Sequence, residues 1–252
     1  MIPQKIFYIW FGKKQLSSQT KENLITWQKC NPDYEIIKID ETNFDINKYP
    51  FIRDAYNSKN WAFASDMARL IVIYQNGGFY FDTDVKMIKS LDPLTKYKSV
   101  WGMEMPGLIN SGLIIGAKKG DDDLKNLINI YQNKVFDSKN INAMLTPRII
   151  SDYFKNKGLT EKNTIQRLKN DTVIFPTDYF APYHWWGGGK LSQNTVAIQQ
   201  YQKGWGKEDI SKATRLIARV HYNFPKSYSK LRLFLKNSNR VYLQKILIKR
   251  KL

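Results

Sequence analysis

Apolar and polar positions fall into short blocks along the chain, and their period changes from block to block. Residues 5–10 (KIFYIW) are an almost unbroken apolar run of strand length and predict a buried first strand. Residues 17–30 predict a helix, with Ser17 or Ser18 as its cap and Asn31-Pro32 as its stop. Residues 34–39 alternate and predict a second strand. A polar stretch with short helical turns occupies 40–59. Residues 60–75 predict a helix capped by Asn60 and broken by Gly77-Gly78. Residues 79–81 and 85–88 predict strand segments on either side of Asp82-Thr83-Asp84. Beyond a turn at 91–94, strands are expected at 100–104 and 112–117, helices at 121–136 and 141–156, and short strands at 173–175 and 216–220. Three acids open the first of those helices, where the helix dipole favours them. Pro147 marks a kink or boundary in the second. Strands alternating with helices predict an α/β fold, with one mixed, mainly parallel sheet and flanking helices. Ligands of such sheets bind beyond the carboxyl ends of the strands, and Asp82 and Asp84 fall at such an end.

Side chains two apart on a strand share a face. Asp82 and Asp84 are therefore expected to present two carboxylates to one spot, with Phe79 and Phe81 directed away. Two hard oxygen anions suit Mg²⁺ or Mn²⁺, which commonly completes its shell with substrate phosphates. An isolated Asp-x-Asp is most often only a turn. Here Ser65, Asp66 and Arg69 precede it on the helix. Asp66 and Arg69 are three apart and share a face. Alone they would read as a surface ion pair of little value, but the Gly-Gly break brings their helix close to the acidic pair.

The compound pattern Ala64-Ser65-Asp66-x-x-Arg69, Tyr74, Gly77-Gly78-Phe79-Tyr80 and Asp82-x-Asp84 resembles the sugar-binding DXD region of glycosyltransferase family 32. The opening run from Ile2-Pro3-Gln4 to Trp10-Phe11-Gly12 resembles that family's first strand, and Trp27 followed by Asn31-Pro32-Asp33-Tyr34-Glu35 shares the resemblance. The family includes catalytic domains of large clostridial glucosylating toxins, yeast-type mannosyltransferases and many bacterial capsule or lipopolysaccharide enzymes. The resemblance is dense over the first half of the chain and thin beyond it. It implies a GT-A-type fold, a nucleotide-sugar donor such as UDP-galactose or UDP-glucose, a divalent metal, and retention at the anomeric carbon. By position, Trp10 would lie near the nucleotide base. Asp66, Arg69 and Asp82 would contact ribose and donor sugar, and Asp84 would ligate the metal, with Asp82 and His221 completing its protein ligands. Asn110-Ser111-Gly112-Leu113 resembles the strand whose Asn touches the donor sugar. His221-Tyr222, with Lys226-Ser227-Tyr228, resembles the closing segment that returns to metal and diphosphate. Relatives usually carry His-His-Trp and Ser-Trp there, where this chain has His-Tyr-Asn and Ser-Tyr. The implied acceptor is a glycan, including a lipid-linked one, in bacterial surface-polysaccharide synthesis.

Composition places these motifs in one domain. With 252 residues, 42% hydrophobic and 14% aromatic, the chain fits a globular catalytic domain over 1–229 rather than a disordered one. Its single cysteine, Cys30, excludes an internal disulfide framework and favours a reducing compartment. No basic segment with a long apolar run opens the chain, and no stretch of about 18 apolar residues occurs, so neither a signal peptide nor a membrane-spanning helix is expected. The expected location is cytoplasmic, peripheral at the inner face of the cell membrane. The net charge of +18 attracts anionic partners. Part of it lies in residues 230–252, a basic amphipathic helical tail broken at Asn237-Ser238-Asn239 and without an acid. Such a tail fits an anionic membrane surface or packing on the domain equally well. Residues 176–209 hold Tyr179, Phe180, Tyr183, His184, Trp185, Trp186 and Gly187-Gly188-Gly189. They read either as core aromatics or as an acceptor-side lid hinged on the glycines.

Two other classes fit parts of the pattern. A haloacid-dehalogenase-type phosphatase also places Asp-x-Asp after an apolar strand, but it wants Thr or Val two residues after the second Asp, where this chain has Lys86. A nucleic-acid-binding protein would explain the charge. No binding motif accompanies that charge, so no specific nucleic-acid partner is expected, and the Asp pair would be left without a role.

Overall fold

The computed structural model describes residues 1–201, 211–228 and 230. In chain order its elements are β1 (Lys5–Ile9), α1 (Ser18–Cys30), β2 (Glu35–Ile39), α2 (Pro50–Asn57), α3 (Trp61–Asn76), β3 (Gly78–Tyr80), β4 (Val85–Met87), β5 (Ser99–Met105), β6 (Leu108–Ile109), β7 (Ile115–Ala117), α4 (Asp122–Gln132), α5 (Thr146–Lys155), β8 (Gln166–Arg167), β9 (Thr172–Phe175), α6 (Thr177–Phe180), β10 (Ala197–Gln199) and α7 (Lys212–Asn223). The main sheet runs β2-β1-β3-β7-β5-β9-β8, with β6 paired to β5. β1 is parallel to β2 and β3, β7 is antiparallel to β3 and β5, and β9 is parallel to β5. β2, β1, β3, β5 and β9 therefore all point one way, so the sheet is mixed but mostly parallel, as expected. A separate two-stranded sheet pairs β4 with β10.

Alternation along the strands divides the core. Phe7, Ile9, Tyr80, Trp101 and Met103 face a cluster built with α2, α3, α4 and α5. Ile6, Tyr8, Phe79, Phe81 and Val100 face the other cluster, with Trp27 of α1, Phe180 of α6, and β4. The Trp27 indole N–H donates to the Val85 carbonyl at 2.7 Å, tying α1 to the segment after the acidic pair. Ser17 caps α1 by accepting from the Thr20 amide. Asp121 caps α4 by accepting from the Asp123 and Leu124 amides. Pro147 sits in the first turn of α5, so it starts a helix rather than kinking one. Asn60 occupies the cap position of α3 without a side-chain cap bond.

Gly77 and Gly78 close α3 with φ of +68° and +101°. A Cβ on Gly77 would come within 2.8 Å of the Lys119 amide nitrogen, and one on Gly78 within 2.8 Å of the Lys5 carbonyl oxygen. Only glycine turns α3 back onto β3 this tightly, which fixes where the acidic turn begins.

Two expectations are corrected. Asp82-Thr83-Asp84 lies on a turn between β3 and β4, closed by the Val85 amide on the Asp82 carbonyl at 3.1 Å, and not along a strand. The segment 216–220, expected as a strand, belongs to α7. A short apolar run is ambiguous between the two periods, and here Ser211 caps a helix that buries Thr214 and Ala218 on one side. The turn expected at 91–94 is present, closed by the Leu94 amide on the Leu91 carbonyl at 2.8 Å, and it runs on as a short 3-10 helix at Asp92–Leu94. The expected boundary at 229/230 and the tail 231–252 lie outside the described residues. No helix among those described is long and apolar enough to cross a membrane.

Candidate active site

The carboxyl ends of β3 and β5 and the loop before β7 meet at one edge of the sheet, and the polar residues concentrate there. Arg69 of α3 is 3% exposed. Its Nη2 contacts Asp66 Oδ1 at 3.0 Å and Asp82 Oδ1 at 3.1 Å. Nη2 also donates to Ser65 Oγ at 3.0 Å, Nε to the Ser65 carbonyl at 3.2 Å, and Nη1 to Ser111 Oγ at 3.3 Å. The guanidinium lies 4.8 Å from the centre of the Tyr80 ring. Burial works against its charge but is outweighed by Asp82, Tyr80 and Asp66, so the arginine titrates above its ordinary value. Tyr80 donates to Asp82 Oδ1 at 2.7 Å, and burial pushes its hydroxyl well above the usual tyrosine range. Thr146, at the start of α5, donates to Asp66 Oδ2 at 2.6 Å. The ion pair expected at 66 and 69 is thus buried and joined to Asp82. As it stands, the arginine's charge serves these two carboxylates.

The second half of the site surrounds Gly112. The Asp82 amide donates to the Gly112 carbonyl at 2.9 Å, and the Gly112 amide donates to Asn110 Oδ1 at 2.9 Å. A Cβ on Gly112 would stand 2.0 Å from Asp82 Oδ2. Asn110, on the loop just before β7, donates through Nδ2 to Glu104 Oε2 at 3.3 Å. Asp84 accepts from Gln199 Nε2 at 2.8 Å, and its carbonyl accepts from the Gln200 amide at 3.0 Å. Gln199 is 7% exposed, and its Oε1 is buried with no hydrogen-bond partner. The buried Tyr201 hydroxyl is held protonated by burial and by the charges of Glu104 and Asp84.

The structure therefore brings Asp66, Arg69, Asp82 and Asn110 into one network. Asp84 is placed on the same turn with Gln199 as its partner. Asp82 and Asp84 have different neighbours, because the turn breaks the strand parity that would have aligned them. Among the described residues no three His, Cys, Asp or Glu side chains gather into a metal cluster, so Asp82, Asp84 and His221 do not form a ready-made ligand set. His221 lies in the last turn of α7, not after a strand, and its ring stacks on Tyr228 at 4.2 Å. Lys226 and Ser227 are exposed. Trp10 is half-buried beyond β1, and its indole donates to the Lys14 carbonyl at 2.6 Å. A cleft of about 400 Å³ opens nearby, lined by Lys13, Glu41, Phe44 and Tyr56 among others. Glu41 accepts from the Gly12 amide at 2.6 Å and the Tyr56 hydroxyl at 2.8 Å.

Sequence reasoning missed Glu104, Gln199 and Tyr201. Glu104 had a signal, as the only acid in an otherwise apolar strand. Gln199 and Tyr201 had none, since their place depends on β10 pairing with β4.

In the aromatic segment 176–209, Phe180 and Trp186 are core, whereas Tyr183 and Gly187-Gly188-Gly189 are exposed, and 202–209 lie outside the described residues. Trp186 is 3% exposed and packs with Met105 and Ala218. His184 lies between Trp186, at 4.5 Å and nearly parallel, and Tyr222 of α7 at 4.4 Å. Trp186 is thus committed to holding α7 and is not free to stack on a sugar. Burial lowers the His184 pKa below 6.5. The unfolded chain then binds this proton more readily than the folded one. Stability from this site is complete above pH 6.5 and is lost as pH falls from there through the folded value. The melting temperature should fall over that window, and His184→Phe should flatten the dependence.

Comparison with known proteins supports a class. Residues 17–101 match the family described as "Glycosyltransferase sugar-binding region containing DXD motif". Among curated proteins, inositol phosphoceramide mannosyltransferase 3 of Schizosaccharomyces pombe is 32% identical over 94 residues, 36% of this chain and 26% of that protein. This chain thus spans about a quarter of that relative's length. Among solved structures, PaToxG glycosyltransferase superposes with a TM-score of 0.50 at 19% identity, over 62% of this chain and 69% of that one. The fold is that of GT-A-type glycosyltransferases.

Proposed function

We propose that this protein is a metal-dependent, retaining glycosyltransferase that moves a hexose from a nucleotide sugar to a glycan acceptor. The observation that carries this reading is the buried Asp66–Arg69–Asp82 network, at the carboxyl edge of the sheet and within the stretch that matches the DXD sugar-binding family. Arg69 fixes two carboxylates at known positions before substrate arrives. Such pre-organisation removes orientational freedom that transfer would otherwise have to overcome. Asp66 and Asp82 are the proposed partners of sugar and ribose hydroxyls, with Asn110 and Glu104 closing the same pocket. Trp10 and the cleft beside Gly12 are the proposed nucleoside end. Lys226, Ser227 and Tyr228 are the proposed closing contacts to the diphosphate.

The oxygen donors at the turn fit Mg²⁺ or Mn²⁺. They are the carboxylates of Asp84 and Asp82 and the unpartnered Gln199 Oε1, all hard ligands. With no three-residue cluster among the described residues to hold it, the ion would depend on Asp84 and on the donor's diphosphate. When bound, it supplies Lewis-acid stabilisation of the departing diphosphate. UDP-galactose or UDP-glucose is the proposed donor, and the proposed setting is bacterial surface-polysaccharide synthesis, with a lipid-linked acceptor at the cytoplasmic face of the membrane.

Gly112→Ala tests the geometry. The new methyl would push Asp82 Oδ2 off its position, while the main chain at Gly112 needs no left-handed conformation. Turnover should fall on the order of 10²-fold, because displacement of about 1 Å costs that much. Ligand-observed NMR tests the reading itself. UDP-galactose, UDP-glucose, UDP-N-acetylglucosamine and GDP-mannose are presented with Mg²⁺ and with a chelator. GDP-mannose is included because the matched Schizosaccharomyces pombe relative is a mannosyltransferase. Saturation transfer to the sugar protons of one donor, lost on chelation, is expected. Transfer to none of them would overturn the proposal.

A further inference from the structure

α7 is two-sided. Thr214 and Ala218 are buried, and Tyr222 is anchored by the Thr177 hydroxyl at 3.0 Å and Asn163 at 3.3 Å. Together with the His184–Trp186 stack, these contacts fix which side of the helix turns outward. The outward side carries Lys212, Arg215, Leu216 and Arg219, spaced three and four apart as one helical stripe. Leu216 is 63% exposed, and Phe224 just past the helix is 64% exposed. None of Lys212, Arg215 and Arg219 enters an ion pair among the described residues. From Ser211 to Leu252 the chain contains twelve Lys and Arg residues and no Asp or Glu. The sequence that carries the stripe and follows it thus adds basic charge and no acid.

We propose that the outward stripe of α7, with Phe224, docks the protein on an anionic lipid surface. The inference extends the proposed membrane location to a described helix, and it does not depend on the donor or on the reaction. Lys and Arg at such a stripe meet anionic headgroups, each adding favourable interaction with the leaflet. Leu216 and Phe224 supply the apolar contact that an amphipathic interfacial helix buries below them. That pairing favours lipid over nucleic acid. A phosphate backbone gains from the charges but gives no burial to an aliphatic Leu beside them. The rigid aromatic clasp beneath α7 presents the stripe without requiring the helix to leave the domain.

The test uses the full chain and sedimentation with vesicles of phosphatidylcholine alone, or of phosphatidylcholine with phosphatidylglycerol, at physiological salt. The wild type should sediment with the anionic vesicles and not with the neutral ones. Arg215→Glu with Arg219→Glu should weaken the partition by about tenfold or more. Leu216→Ser with Phe224→Ser, an exposed pair, should weaken it while leaving the charge and the melting temperature unchanged. Three outcomes would overturn the proposal: no wild-type binding to anionic vesicles, both double variants binding like the wild type, or tighter binding to duplex DNA than to vesicles at the same salt. Nucleotide-sugar binding, measured separately, reports on the reaction, so failure of one reading is distinguishable from failure of the other.

Discussion

Asp84→Asn lowers nucleotide-sugar turnover by on the order of 10²-fold or more, the scale of losing a key electrostatic group in a transition state. The position of the residue is the reason. Asp84 lies on the turn after β3, and its carboxylate is oriented by Gln199 Nε2 at 2.8 Å. Asp82, two residues earlier, is occupied on Oδ1 by Arg69 and Tyr80. Asp84 is therefore the acid of the pair proposed to hold the metal, and replacing one oxygen by an amide removes its charge with little change of shape. The deficit should appear in kcat, and donor affinity should lose its dependence on Mn²⁺. Near-normal turnover by Asp84→Asn would remove this residue from the metal site.

Arg69→Ala has the second large effect, and here stability moves together with activity. Arg69 is the cation that bridges Asp66 and Asp82, whose side chains are 17% and 34% exposed. Its removal leaves two carboxylates close together without this counter-charge, and deletion of one partner from a buried ion pair typically costs about 3–5 kcal/mol. The partial exposure of Asp82 places the expected loss near the lower end, about 3 kcal/mol. A double variant separates the two consequences. Arg69→Ala with Asp82→Asn should recover part of the stability in urea unfolding, because one stranded charge is gone, and it should recover no turnover. Equal instability of the single and double variants would show that Arg69 acts through packing on Tyr80 rather than through charge.

What the chain revealed in advance tracks the reach of local rules. The helices 17–30 and 60–75 were legible from their apolar period and their Ser17 and Gly77-Gly78 boundaries, and the structure places them at Ser18–Cys30 and Trp61–Asn76. The first strands were legible as buried runs. The segment 216–220 satisfies either period because it is five apolar-rich residues, and only docking of Ala218 on Met105 and Trp186 decides between them. The same limit governs the site. Asp66, Arg69 and Asp82 lie within seventeen residues of sequence, where helix spacing and a glycine turn relate them. Glu104, Gln199 and Tyr201 reach the site through strand pairings that span tens to more than a hundred residues, as between β4 and β10. Parity along a strand also failed at Asp82 and Asp84, because the chain turns between them; the turn preference of Asp was the local signal for this, and it competed with the apolar strand segments on either side.

The most direct measurement is release of nucleoside diphosphate by the purified protein from UDP-galactose, UDP-glucose, UDP-N-acetylglucosamine and GDP-mannose, each with Mn²⁺ and with a chelator. The site described at Asp66, Arg69, Asp82 and Asp84 predicts metal-dependent release from one of these donors, abolished in Asp84→Asn. Release from none of them, with the protein folded and metal present, would contradict it.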